Sequence, residues 1–234
     1  MRSLRHPSSA RGFTLLELLA VIGIMAFCGV LAMPALSFVG ASGFTKSTAR
    51  ASELLEEARA YAVAHNTYTW VAFYAVPATG AQAGTVYMAL LASQDGTSEA
   101  VSGAAFGSYT DWPQGVSAAP SATNCQLIRK IEAFPQVGFA DAGAYPVPSA
   151  PATASLGSAA TATPSFSLAI PGLGSQNFNR AIQFTPAGEA KVQAALVPAI
   201  EFDLYPLHGT TASKTMAAVM RINGYTGQAR VYLP

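Results

Sequence analysis

The sequence predicts an α+β protein in which one long N-terminal helix, membrane-spanning in its first half, packs through its second half on antiparallel β-sheet. Three observations predict it. Residues 13–39 form an apolar run that holds a single charge, Glu17. Residues 45–65 turn amphipathic at helical spacing. From residue 67 onward, short β-branched and aromatic segments are separated by turn-forming residues.

Composition fits this plan. A chain of 234 residues holds one domain of ordinary size beyond such a helix. It is 51% hydrophobic and only 11% charged, where a soluble domain carries about 25% charged residues. Three of the 13 basic residues, Arg2, Arg5 and Arg11, precede the apolar run with no acid among them. The remainder carries 10 bases against 12 acids, a net of −2, and has no basic block. The two cysteines, Cys28 and Cys125, lie far apart, and no CxxC or Cys/His cluster accompanies them. No metal or cofactor is therefore expected.

Residues 1–12 are short, basic and polar. Residues 13–39 are long enough to span a hydrocarbon core of about 30 Å. Basic residues before the run place the N-terminus in the cytoplasm and the globular part across the membrane. A secretory signal would have a shorter apolar region followed by a small-residue cleavage site, whereas here Gly12 comes before the run. A plain anchor leaves Glu17 unexplained, because a lone carboxylate in an apolar span is costly.

The stretch Gly12-Phe13-Thr14-Leu15-Leu16-Glu17 resembles the processing site of type IV prepilins and type II secretion pseudopilins. The resemblance implies a leader at 1–12, cut after Gly12 by a prepilin peptidase that also N-methylates Phe13. Glu17 becomes the fifth mature residue, able to pair with the α-amine of a neighbouring subunit and fix axial register. The implied partners are the peptidase, other pilins or pseudopilins, and the bacterial inner membrane, with residues 67–234 as a periplasmic domain. Pro34 lies inside the helical run and should kink it, since proline removes an intrahelical hydrogen bond.

Residues 40–66 continue the helix. Leu54, Leu55, Ala58, Tyr61 and Ala62 share one side, and Glu53, Glu56, Glu57 and Arg59 lie largely on the other. Glu56 and Arg59 are three apart and can pair. His65-Asn66 reads as the helix stop. Strands follow at 67–76 and 85–92, with a loop over 95–115 and a further strand over 127–134. Residues 140–164, rich in Ala, Pro, Ser and Thr, read as an exposed mobile insertion. Strands resume at 166–170, 181–185, 191–195, 199–205, 216–223 and 228–233, with turns at 186–188 and 224–227. A meander of antiparallel pairs is the natural topology.

The segments Phe184-Thr185-Pro186-Ala187-Gly188 and Thr226-Gly227-Gln228-Ala229-Arg230-Val231 resemble the strand-turn-strand endings of pseudopilins of the GspH/FimT type. The layout as a whole is similar to the cassette protein D family of Verrucomicrobia-type bacteria. These resemblances imply a minor pilin or pseudopilin, a structural subunit of a type II secretion pseudopilus or type IV pilus-like filament.

No enzyme is expected. His6, His65 and His208 are scattered without a nucleophile partner. Glu201 and Asp203 fall on one face of a strand and read as a solvated face. Gly172-Leu173-Gly174 lacks the following helix of a dinucleotide site. Some minor pilins of the resembled type bind DNA through basic residues near the C-terminus. Lys214, Arg221 and Arg230, with Tyr225 and Tyr232 nearby, form only a dispersed footprint, so nucleic acid is not the expected partner. A FimT-like DNA-binding minor pilin, and a membrane-anchored extracytoplasmic binding domain or enzyme, stand as alternatives.

Overall fold

A computed structural model describes residues 15–77, 82–98, 125–141, 153–156, 166–192, 195–208, 211–212 and 216–233, with only the backbone at 29–42, 141, 153–155 and 208. The chain divides into two compact units, Met1–Ser42 and Gly43–Pro234. Helix α1 (Leu15–His65) runs through the boundary between them.

In the first unit, the described side chains other than Glu17 are apolar in every direction around the helix axis. Leu15, Leu16, Leu18, Leu19, Val21, Ile22, Ile24, Met25 and Phe27 are all exposed. Among the described residues no helix is long and apolar enough to cross a membrane. The side chains described for this stretch, residues 15–28, cover about 21 Å at 1.5 Å per residue. The expected span of 13–39 continues into residues whose side chains lie outside the description. Pro34 is among them, so its expected kink lies outside the described residues as well.

In the second unit, α1 becomes one-sided. Phe44, Ala51, Leu54, Leu55, Ala58 and Ala62 are buried in one cluster. Leu54 and Leu55 are fully buried, each contributing about 1.5–3 kcal/mol relative to exposure. The helix stops where the sequence predicts. Asn66 takes φ 49°, and the Thr67 N–H returns to the Ala62 carbonyl at 3.1 Å. Such a left-handed residue closes a helix by satisfying a terminal carbonyl, and asparagine tolerates it.

Two sheets lie against α1. The first contains β1 (Thr69–Ala75), β2 (Thr85–Ser93), β3 (Cys125–Leu127), β4 (Glu132–Pro135), β9 (Arg180–Phe184) and β10 (Ala190–Lys191), in the order β10-β9-β1-β2-β3, with β4 also on β2. Val71 and Phe73 of β1 join the helix cluster, while Trp70 and Ala72 face the other way. That far face is covered by the hairpin of β7 (Phe166–Ile170) and β8 (Gly174–Phe178), through Phe166, Leu168, Ile170 and Phe178. Burial on both faces explains why β2 reads as a continuous apolar run and not as an alternation.

The second sheet contains β5 (Val137–Asp141), β6 (Thr153–Ser155), β11 (Ala199–His208), β12 (Thr211–Ala212), β13 (Ala218–Asn223) and β14 (Ala229–Tyr232). Its order is β12-β11-β13-β14, with β5 and β6 also on β11. Ile200, Phe202, Leu204, Met220 and Ile222 turn toward the α1 cluster.

The α+β class and the principal hairpins agree with expectation; several details differ. Residues 127–134 are not one strand: β3 and β4 are separated at Arg129, whose guanidinium bonds Glu57 of α1 and Glu132. The pairing is not purely antiparallel, because β6 runs parallel to β11. Within the expected insertion at 140–164, Leu156 is buried and Thr153–Ser155 is paired, while 142–152 and 157–164 lie outside the described residues. The sequence signals neither β5, which takes in Ala140 and Asp141 of the expected insertion and pairs with β11, nor β12, nor β8, whose Gly-Ser-Gln-Asn-Phe carries no alternation and whose pairing with β7 decides its structure.

Candidate functional site

Glu17 sits in the first turn of α1, exposed and surrounded by exposed leucines. Helix geometry favours it there, because the N-terminal end of the helix carries partial positive charge. Its neighbours are unsuited to water. A helix apolar all round belongs in lipid or among other apolar helices. Gly12 and Phe13 lie outside the described residues.

The second unit brings together two of the three expected basic residues. Arg221 on β13 and Arg230 on β14 are direct partners in the antiparallel register. Lys214 lies outside the described residues. The two guanidiniums flank a groove of about 300 Å³, also lined by Pro198, Ala199, Asn223, Gln228 and Tyr232. Among the described residues, neither guanidinium makes an ion pair or a hydrogen bond.

Glu201 and Asp203 are a correction. They share the outer face of β11 with Arg221's row, as alternation requires, but they are buried and not solvated: Glu201 is 5% exposed and Asp203 is 0% exposed. A buried carboxylate is costly unless bonded. Alternation alone makes these acids water-facing, but β11 lies inside the sheet, paired with β13, β5 and β6, and both side chains are buried.

The terminal hairpin is held from the helix side by two residues that the sequence pairs only with each other. Glu56 and Arg59 do approach, at 3.5 Å. Arg59 Nε also donates to the Thr226 carbonyl at 2.6 Å, and Glu56 Oε1 accepts the Ala229 N–H at 2.8 Å. Gly227, with φ 66°, leaves room for this approach, because a side chain there would strike the Gly188 carbonyl. The two turns seen in the sequence, 186–188 and 224–227, therefore meet at Arg59.

A second set of charges fixes α1 to the first sheet. Arg50 bonds Glu53 and Glu132, and Arg129 bonds Glu57 and Glu132, so Glu132 Oε1 serves two arginines. The Glu53 and Glu132 hydrogen bonds raise the Arg50 pKa above its usual value. Cys125 is buried, and burial, with the nearby Asp95 charge, pushes its thiol up to about 12. A thiol held protonated is a poor nucleophile and a poor metal ligand. His65 stacks on Tyr61 at 4.1 Å between ring centres, at the end of α1. Among the described residues no group of three or more His, Cys, Asp or Glu is arranged to hold a metal.

Residues 7–33 match the prokaryotic N-terminal methylation motif. The match covers Gly12, Phe13, Glu17 and most of the apolar run, and supports a type IV prepilin-like protein. No curated protein and no solved structure matches the chain.

Proposed function

We propose that this chain is a minor pilin or pseudopilin, a structural subunit of a type II secretion pseudopilus or type IV pilus-like filament. One coincidence carries the reading. The methylation motif falls on a helix that is apolar all round and bears an acid in its first turn. The chain is inserted in the inner membrane with its N-terminus cytoplasmic and its α+β unit periplasmic. A prepilin peptidase cuts after Gly12 and methylates Phe13. The new α-amine and Glu17 of an adjacent subunit neutralise each other in the apolar layer, where either charge alone would cost several kcal/mol. Register between subunits follows from that pairing. The chain performs no catalysis; it is the substrate of the peptidase.

Crosslinking in intact membranes tests the assembly role. In cells with an active prepilin peptidase, the chain should crosslink to other methylation-motif subunits, and these adducts should vanish when the peptidase is inactivated. Adducts equally abundant without the peptidase would overturn the reading.

A further inference from the structure

Three charged residues stand in a row across the second sheet. Glu201 on β11 is opposite Arg221 on β13, which is opposite Arg230 on β14. The Gly224 N–H bonds the Pro198 carbonyl, which makes Glu201 and Arg221 a non-hydrogen-bonded pair, the kind with the closer side chains. The Asn223 N–H bonds the Gln228 carbonyl, which makes Arg221 and Arg230 a hydrogen-bonded pair. Along the row the charges therefore run negative, positive, positive. Like charges directly opposite each other destabilise a sheet. Glu201 Oε2 is buried with no hydrogen-bond partner, and neither guanidinium is in an ion pair among the described residues.

Among the described residues, the row ends at an open edge. β14 is last in the sheet order. Arg230 exchanges its backbone bonds with β13, so the backbone groups of Ala229 and Val231 point outward. Glu56 takes the Ala229 N–H. The Val231 groups remain at the edge among the described residues. The groove beside the row is rich in donors. Asn223 Oδ1 already accepts the Tyr225 and Thr226 N–H groups, which leaves its amide NH₂ for a ligand. Gln228, Tyr232 and the two guanidiniums add further donors.

We propose that the β14 edge receives an extended segment of a partner protein that places an Asp or Glu opposite Arg230. Backbone pairing at Val231 supplies adhesion, as in strand addition to an open edge. The incoming carboxylate completes the row as negative, positive, positive, negative, so that each arginine has one acid beside it. Guanidinium geometry suits a carboxylate held by two parallel bonds. The groove accommodates one or two side chains and not a strand of phosphates. Nucleic acid needs several cations along a track, and here two stand beside a buried acid.

Fluorescence anisotropy on the full-length chain in detergent micelles tests this. The probe is a labelled seven-residue peptide of alternating Thr and Val with a central Glu. Controls carry Gln or Lys at the centre, and a single-stranded oligonucleotide is a third probe. The Glu peptide should bind at least about fivefold tighter than the Gln peptide. Arg230→Glu should remove that preference and transfer it to the Lys peptide. Val231 should gain amide protection when the Glu peptide is added. Circular dichroism checks that the variant is folded, and Arg230→Gln serves as the milder change. Equal binding of Glu and Gln peptides would overturn the proposal, and so would a preference that survives Arg230→Glu. An oligonucleotide that binds more tightly than the Glu peptide, and is lost in Arg230→Glu, would make this a nucleic-acid site. None of these outcomes bears on processing at Gly12.

Discussion

Arg59 Nε donates to the carbonyl of Thr226 at 2.6 Å, joining the exposed face of α1 to the turn of the last hairpin. Glu56 holds the same hairpin by the Ala229 N–H. The helix that carries the methylation motif thus also clamps the strands farthest from it in sequence. Arg59→Ala should lower stability by about 1–2 kcal/mol, the range for a partly exposed bond from a charged donor. Gly227→Ala should cost more, about 2 kcal/mol or above, because it adds strain at positive φ to a clash with the Gly188 carbonyl. Urea unfolding of each variant, read by circular dichroism, measures both. An Arg59→Ala midpoint equal to the parent's would show that the clamp contributes nothing.

Glu132 should behave as a shared acceptor. Glu132→Gln weakens the bonds from both Arg50 and Arg129, and should destabilise by about 1 kcal/mol. In a double-mutant cycle with Arg129→Met, the two losses should not add, because they remove parts of one network. Strict additivity of the unfolding free energies would place the two residues in separate interactions.

Cys125 links stability to alkaline pH. Its pKa is raised from 9.0 to about 12 by burial and by Asp95. The folded chain therefore holds the thiol proton more tightly than the unfolded chain does. The stabilisation is fully present below pH 9.0 and is lost as pH rises toward about 12. Cys125→Ala should flatten that decline in unfolding midpoint, and the native thiol should resist alkylation at pH 8 until the chain unfolds. Rapid alkylation of Cys125 in the folded protein would contradict its burial.

Glu17→Ala should leave membrane insertion unchanged and reduce incorporation into filaments severely, since removing one partner leaves the other charge unpaired in the apolar layer. Carbonate extraction reads insertion, and crosslinked adducts read incorporation. Adduct levels equal to the parent's would remove the register role from Glu17.

Much of this was legible in the residues because local chemistry decided it. The stop at His65-Asn66 needs only a left-handed cap. The turns at Gly188 and Gly227 need only positive φ. The apolar stripe of Leu54, Leu55, Ala58 and Ala62 needs only helical spacing, and all four are buried. What the sequence hid depends on distant neighbours. β8 is a strand because β7 lies beside it. Glu201 is buried on a strand that pairs with β13, β5 and β6, and nothing near Glu201 in the chain signals that. Glu56 and Arg59 read as a local pair, yet each reaches a partner more than 160 residues away. The two arginines of the terminal hairpin were visible as residues, but only the register makes them neighbours.

Intact mass of the chain extracted from membranes of cells with an active prepilin peptidase shows whether it is processed as a prepilin. The chain should lack residues 1–12 and begin at Phe13, with the added mass of one methyl group on its α-amine. A chain that keeps residues 1–12 in those cells, or one cut elsewhere than after Gly12, would contradict it.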